Sequence, residues 1–448
     1  WRASYPLPSY DGRESMKHLD QLAQLGLSEL QAGGADQAVC SVSRSVMREL
    51  TAEWGEFTLY RTIFDDSISF TAIVQGKRGG ISQNTISEEA IREGASGCLQ
   101  AALAADPDEA WQLAPYVPEQ TFETGPLECD EERLFARSRE FLADIRSRFP
   151  LIKVGALTVT HTLGEGISLY STGSRFISRR ALYAVDLMFS AAEGEATSSF
   201  FSTSVEILDL DTPFMRLGSF EADLAAVSKQ IYTKAMDDKF TGTILLTPDC
   251  FGDLIEECIG TFAADGVILD GTSPWLGKLG QKVADEQFSL RLAPLHPDIV
   301  SGQRYTSEGY LAEDYYLIEN GILRRFRLSD YTARKTGFER SPNSSYGDFV
   351  VTPGKESFED ILSRIDRGLL IARLSGGAPS VSGDFSGVAK NCFLIENGVI
   401  REALSETMIN GNLADFLLHI RAVSKEVVKD GSSVLPWVAI DGVGITGK

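Results

Sequence analysis

Four histidines, His18, His161, His296 and His419, are the first residues to test for chemistry, because imidazole serves both proton transfer near neutral pH and zinc ligation. No two of them lie within one helical turn. A catalytic zinc normally takes three protein ligands and keeps a position open, commonly with two histidines sharing a helix face. The chain offers no such pair. His18 falls in the charged start of a helix, His161 in a strand-like Thr-His-Thr, His296 between two prolines, and His419 on an apolar-periodic helix that follows Asn412. Each reads as a surface or core residue. The six cysteines, Cys40, Cys98, Cys129, Cys250, Cys258 and Cys392, are scattered without a CxxC pair, and read as small core hydrophobes rather than a disulfide or zinc framework. Arg78-Gly79-Gly80 and Ser375-Gly376-Gly377 lack both the Lys-Ser ending of a P-loop and the GxGxxG spacing, so turn glycines are their expected meaning. There is no GxSxG elbow for acyl transfer.

The elements that must position any site alternate in type along the first half. Leu19, Leu22, Leu25 and Leu30 suit one helix face, ended by Gly33 and Gly34. Ala38 to Met47 and Phe57 to Val74 read as extended, and Gln75 to Gly80 closes them as a hairpin would. Ser87 with Glu88 and Glu89 starts a second helix, which reaches about Ala104. A proline-rich connection runs from Asp106 to Asp130. The next helix, with Leu134, Phe141, Leu142, Ile145 and Phe149 on one face, stops at Pro150. Leu151 to Leu210 has the rhythm of an antiparallel sheet, and Phe220, Leu224, Val227, Ile231 and Ala235 predict a long amphipathic helix.

After the strand Ile244-Leu245-Leu246 come many glycine-closed strands and few helices, which favours a barrel-like sheet. Tyr316 to Leu323 returns as Phe393 to Ile400, each centred on Leu-Ile-Glu-Asn-Gly; Asn-Gly between apolar runs predicts two similar hairpins. Turn chemistry is preferred over reading Glu319 and Glu396 as a carboxylate pair. The fold class expected is α+β: an N-terminal α/β domain with a sheet and flanking helices over residues 16–213, then a β-rich barrel-like domain over 214–448. Residues 1–15 precede the first methionine, Met16, and are set aside as a leader or tag.

With 448 residues, 43% of them hydrophobic, the chain can bury more than one core. Sixty-three acidic against 42 basic side chains leave a formal charge of −21, which repels nucleic acid and anionic membranes alike. With no run of eighteen apolar residues and no export signal in the opening residues, a cytoplasmic protein with neither nucleic-acid nor membrane partners is expected. The surplus of acid is read as an ordinary solvated surface.

Gly368 to Gly377, Ser382 to Gly387 and the second Leu-Ile-Glu-Asn-Gly together resemble the signature of the TldD/PmbA family. Ser301 to Gly309, Ser329 to Lys335 and Ile409 to Leu413 resemble its C-terminal domain. The resemblance implies an α/β domain followed by a β-barrel-like domain. It also implies a cytoplasmic two-subunit zinc metallopeptidase system for peptide maturation or degradation, also named modulator of DNA gyrase. One subunit type carries a His-Glu-x-x-x-His zinc helix and a cysteine near the C-terminus; the PmbA or TldE type does not. Setting Gly271-Thr272-Ser273 and Gly280 against that pattern puts the zinc helix on Glu256 to Thr261. The ligand positions become Glu256 and Thr261, and Glu257 is the remnant of the catalytic glutamate. Thr261 is too weakly basic to replace an imidazole. The last cysteine, Cys392, is far from the tail Asp430 to Trp437.

The resemblance thus implies a PmbA/TldE-like, non-catalytic subunit. It implies no metal or other cofactor in this chain, zinc in a TldD-like partner or else self-association as a dimer, and a peptide substrate. Strand addition to unpaired edges of the barrel-like sheet is the expected mode of peptide binding. Two alternatives stay open: an autonomous peptidase, metal-free or with a metal on Glu256, Glu257 and the distant His296, and a homodimeric binding or regulatory protein acting on a target such as a topoisomerase regulator.

Overall fold

Long alternating runs in the first half of the chain become long strands. The computed structural model describes residues 12–405 and 407–447. An eight-stranded sheet comprises β1 (Gln37–Glu53), β2 (Glu56–Val74), β3 (Lys77–Gln83), β4 (Gln120–Thr124), β5 (Ile152–Tyr170), β6 (Arg175–Glu193), β7 (Ala196–Thr197) and β8 (Phe201–Ile207). Its order is β3-β2-β1-β5-β6-β4, and β7 and β8 also pair with β6. Four helices flank it: α1 (Gly12–Ala32), α2 (Glu88–Ala104), α3 (Glu131–Arg148) and α4 (Phe220–Val227). α1 begins four residues before Met16, inside the stretch set aside in the sequence; residues 1–11 lie outside the described residues.

All four helices lie on one face of this sheet. Cys40 and Val42 of β1 join the core beneath α1 and α2, while Leu50, of the same parity, joins the core beneath α3 and α4. The helix starts follow the expected capping chemistry: the Ser87 hydroxyl accepts the Ala90 N–H at 3.3 Å, and α2 ends at Ala104 as anticipated. α3 stops at Arg148, just before Pro150.

Three readings are corrected. The Gln75-Gly76 turn joins β2 to β3, whereas β1 and β2 are joined at Trp54-Gly55, both turns with positive φ at both positions. Gly79 and Gly80 lie within β3 rather than in a turn, and a Cβ on Gly79 would sit 2.3 Å from the Cys98 carbonyl oxygen, so this glycine lets α2 close on the strand. The helix expected through Ala235 ends at Val227: the Ser228 hydroxyl bonds back to the Leu224 carbonyl at 2.7 Å, Gln230 is drawn into a buried bond with Asn391, and Lys234–Ala235 pairs as a strand with Leu404–Ser405.

The second sheet comprises β9 (Lys234–Ala235), β10 (Lys239–Leu246), β11 (Leu290–Leu292), β12 (Tyr315–Glu319), β13 (Ile322–Leu323), β14 (Phe349–Val351), β15 (Arg367–Ser375), β16 (Asp384–Glu396), β17 (Val399–Ser405), β18 (Thr407–Asn412), β19 (Ile420–Lys429) and β20 (Val434–Thr446). β20 pairs with β10, β10 with β15, β15 with β16, β16 with β18 and β18 with β20 again, so five strands close into a barrel. Helices α5 (Pro248–Phe262), α6 (Asp265–Leu269), α7 (Asp330–Thr336), α8 (Phe358–Ser363) and α9 (Leu413–Leu418) cover it. The fold is therefore α+β with a barrel in its second half.

Both Asn-Gly hairpins form, β12 with β13 and β16 with β17, with positive φ at Asn320-Gly321 and Asn397-Gly398. Glu319 pairs with Arg324 at 2.9 Å, and Glu396 stands opposite Arg367 in register. The sheet face bare of helices meets the second half. Tyr170 and Phe176 pack against Tyr305 and Leu311, and the Tyr331 hydroxyl and the Lys335 ammonium both bond to Asp108 at 2.9 Å. Among the described residues no helix is long and apolar enough to cross a membrane.

Candidate functional site

α5 begins two residues after β10 ends, with Pro248 in its first turn and Asp249 favourably placed near the positive end of its dipole. Its apolar stripe, Leu254, Ile255, Cys258, Ile259 and Phe262, is buried against the barrel. The end of the helix is fastened by the Gly271-Thr272-Ser273 segment: the Ser273 hydroxyl bonds to the Phe262 carbonyl and accepts the Trp275 N–H at 3.0 Å. The other stripe of α5 carries Asp249, Asp253, Glu256 and Glu257.

Glu256 is engaged. Arg327, 8% exposed, reaches its two carboxylate oxygens with two guanidinium nitrogens, each at 3.1 Å. The guanidinium also lies over the Tyr346 ring, 4.7 Å from its centre, and the Arg327 backbone N–H bonds to the Ala263 carbonyl at 2.8 Å. Glu257 is exposed beside Asp253, and its charge adds to the burial that raises the Asp253 carboxyl and the Cys258 thiol above their usual ranges. Thr261 lies half-buried one turn beyond, after the exposed Gly260.

Histidine contributes nothing at this helix. His161 is buried, its Nε2 2.7 Å from the Pro126 carbonyl, and burial lowers its pKa. Nδ1 of His296 accepts the Asp298 N–H at 3.3 Å, His419 follows the last turn of α9, and His18 is exposed on α1. All six cysteines are free, and all but Cys129 are buried. Among the described residues no three His, Cys, Asp or Glu side chains converge as metal ligands, and that includes Glu256, Glu257 and His296. The donor chemistry agrees: one carboxylate already bonded to a guanidinium and one threonine hydroxyl do not fit zinc.

The acidic stripe opens into a cleft of about 420 Å³ between the two sheets, walled by Ser202 to Ser204 of β8, Tyr346, Arg373 and the Asp430 to Ser433 turn. That turn is built by the Asp430 carboxylate, which accepts the Ser432 and Ser433 N–H groups at 2.7 and 2.6 Å. Gly431 has φ +88°, and a Cβ there would meet the Glu206 carbonyl oxygen at 2.1 Å, so a glycine is required for the tail to touch β8. The Glu206 N–H donates to the Asp430 carbonyl at 2.7 Å.

At the start of α5, Asp249 also lines a second cavity of about 350 Å³. Asp223 of α4 lies there too, 9% exposed, its carboxylate accepting the Ser219 hydroxyl at 2.6 Å. Burial first, then the charge of Asp249, pushes Asp223 up to about 7. Burial first, then Asp430 and Asp253, pushes Asp249 up to about 6. The sequence reading missed this pair and Arg327. Asp223 had a legible signal, a charged residue on the apolar stripe Phe220, Leu224, Val227; Arg327, 71 positions from Glu256, had none.

The family model for the PmbA/TldA metallopeptidase C-terminal domain matches residues 240–447. Metalloprotease PmbA of Escherichia coli O157:H7 is 23% identical over 438 residues, covering 92% of this chain and 94% of its own length. TldE from Thermococcus kodakarensis has the same fold, with a TM-score of 0.81 at 22% identity over 96% of this chain and all of that one. A modulator-of-DNA-gyrase structure from Bacteroides thetaiotaomicron gives a TM-score of 0.82 at 19% identity, over 96% and 99% of the two chains. Residues 240–447 thus match the C-terminal domain of the PmbA/TldA metallopeptidases, and the chain as a whole is similar in sequence to PmbA and in fold to TldE.

Proposed function

We propose that the chain is a PmbA/TldE-like subunit that does not itself cleave peptides, and that it shapes a peptide-binding chamber in a cytoplasmic TldD/PmbA-type system for peptide maturation or degradation. Its partner is a TldD-like zinc-bearing subunit or, failing that, a second copy. The Arg327–Glu256 pair carries this reading: the carboxylate at the first ligand position already has a cation, held in a fork by an 8% exposed arginine. A zinc ion there would have to displace that guanidinium and find two more donors. Glu257, exposed beside Asp253, would have no activated water to deprotonate if zinc is not held there, and a carboxylate by itself does not polarise a peptide carbonyl.

The mode of peptide binding shifts from the barrel to β8. The five-stranded barrel ring is closed, so free edges remain only on strands attached to it, such as β9 and β13; in the first sheet β8 pairs with β6 alone among the described residues, and its other side lines the cleft. The Glu206 N–H points away from β6 to Asp430, so by the two-residue period Ser204 and Ser202 turn their backbone groups to the same open side, along the cleft. An extended peptide added there is read through its main chain, which supports a loose sequence preference. Affinity capture of the tagged chain from its native host tests the assignment. Recovery of a His-Glu-x-x-x-His relative in equal amount supports it; consistent recovery of the chain alone, with peptidase activity, overturns it.

A further inference from the structure

We propose that the cavity between α4, the first turn of α5 and barrel strands β15 and β16 is a binding site for an organic cation, a primary ammonium group carried on an apolar body. Its lining contains four carboxylates, Asp223, Asp249, Glu359 and Glu426, and no lysine, arginine or histidine. Three aromatic rings, Phe358, Phe393 and Trp437, complete the wall, and Phe358 meets Trp437 edge to face at 5.8 Å. Anionic groups beside aromatic faces are the surroundings an ammonium ion selects, since both the charges and the ring quadrupoles attract it.

Among the described residues neither Asp223 nor Asp249 has an ion pair, and Asp223 accepts only from hydroxyls. An independent sign of a missing partner is Asn391, 7% exposed, in the same wall. Its Nδ2 donates to the Gln230 Oε1 at 2.7 Å, and its Oδ1 has no partner. An ammonium ion has three donors; the four oxygens of the Asp223 and Asp249 carboxylates in this wall offer acceptors for all of them. The raised pKa values of both aspartates fit a pair that awaits a positive charge.

The site does not depend on the subunit reading, since it involves neither Glu256 nor a partner chain. Within that reading it would take a basic side chain or the amino terminus of a peptide lying in the adjoining cleft, which shares Asp249 and Ala372 with it.

The test is calorimetric titration of the full chain at pH 8 with 2-phenylethylamine, beside its neutral and anionic counterparts 2-phenylethanol and phenylacetate. The amine is expected to bind at least about tenfold more tightly than either. Asp249→Asn and Asp223→Asn should each weaken it by about tenfold, and Ala226→Phe, which fills the cavity without changing charge, should abolish it. Circular dichroism confirms that each variant is folded. Absence of amine binding, equal binding of phenylacetate, magnesium binding in place of the amine, or affinity unchanged in the folded Asp249→Asn and Ala226→Phe variants would each overturn the proposal.

Discussion

Arg327 grips Glu256 across 71 positions of chain, with two guanidinium nitrogens each 3.1 Å from a carboxylate oxygen. The two members are unequally buried: the arginine side chain is 8% exposed and the glutamate 42%. Removing the carboxylate strands a desolvated guanidinium, whereas removing the arginine leaves a carboxylate that water can reach. Glu256→Ala should therefore cost about 2–3 kcal/mol, less than a wholly buried pair because one end is open to solvent. Glu257→Ala, at an exposed position, should stay within about 0.5 kcal/mol. Urea unfolding midpoints compare the two directly; equal effects would mean that Glu256 and Arg327 are not coupled.

Asp223 predicts a dependence on pH with a definite sign. Its folded-state pKa, about 7, lies above the ordinary 3.8, so between those values the folded chain binds more protons than the unfolded one. Its contribution to stability falls as pH rises through that window and is level above it, with a ceiling of roughly 4 kcal/mol. The charged group that acts on Asp223 directly, Asp249, is an acid, and so are Glu359 and Glu426 in the same cavity wall; the basic Arg373 lies in the adjoining cleft. Asp223→Asn should flatten the fall and raise stability at pH 8. Melting curves at pH 5 and pH 8 measure it; an unchanged slope in the variant would contradict the assignment.

Two glycines should respond oppositely to alanine. A Cβ at Gly79 meets the backbone of α2, the Cys98 carbonyl oxygen at 2.3 Å and the Ala102 nitrogen at 2.4 Å. Neither atom can move alone, so Gly79→Ala should destabilise by about 3 kcal/mol. Gly260 is exposed on α5 with nothing within 4 Å of a Cβ, so Gly260→Ala should stabilise by about 0.5–1 kcal/mol through helix propensity. Denaturation midpoints of the paired variants test the packing of α2 and the helical state of α5 together.

What the sequence made legible follows the range of the forces involved. Ser87 marked α2 because a cap is a local hydrogen bond, and Asn320-Gly321 and Asn397-Gly398 marked their hairpins because positive φ is a property of single residues. The apolar face of α5 was readable from its period, and the barrel from many short glycine-closed strands. The helix through Ala235 was overextended because its continuation is decided by distant partners, Asn391 for Gln230 and Leu404 for Lys234. The same holds at the site. The altered positions Glu256, Glu257 and Thr261 stood out by resemblance, but the arginine that engages Glu256 and the meeting of Asp223 with Asp249 exist only once two separate segments are packed together.

The zinc content of the purified chain, measured by plasma mass spectrometry after dialysis against excess zinc and then metal-free buffer, with peptide hydrolysis assayed on the same sample, tests most directly whether this chain is non-catalytic. Zinc far below one ion per chain and no hydrolysis, with or without added zinc, are the expected results. Stoichiometric retained zinc together with hydrolysis that a chelator stops and zinc restores would contradict the non-catalytic reading.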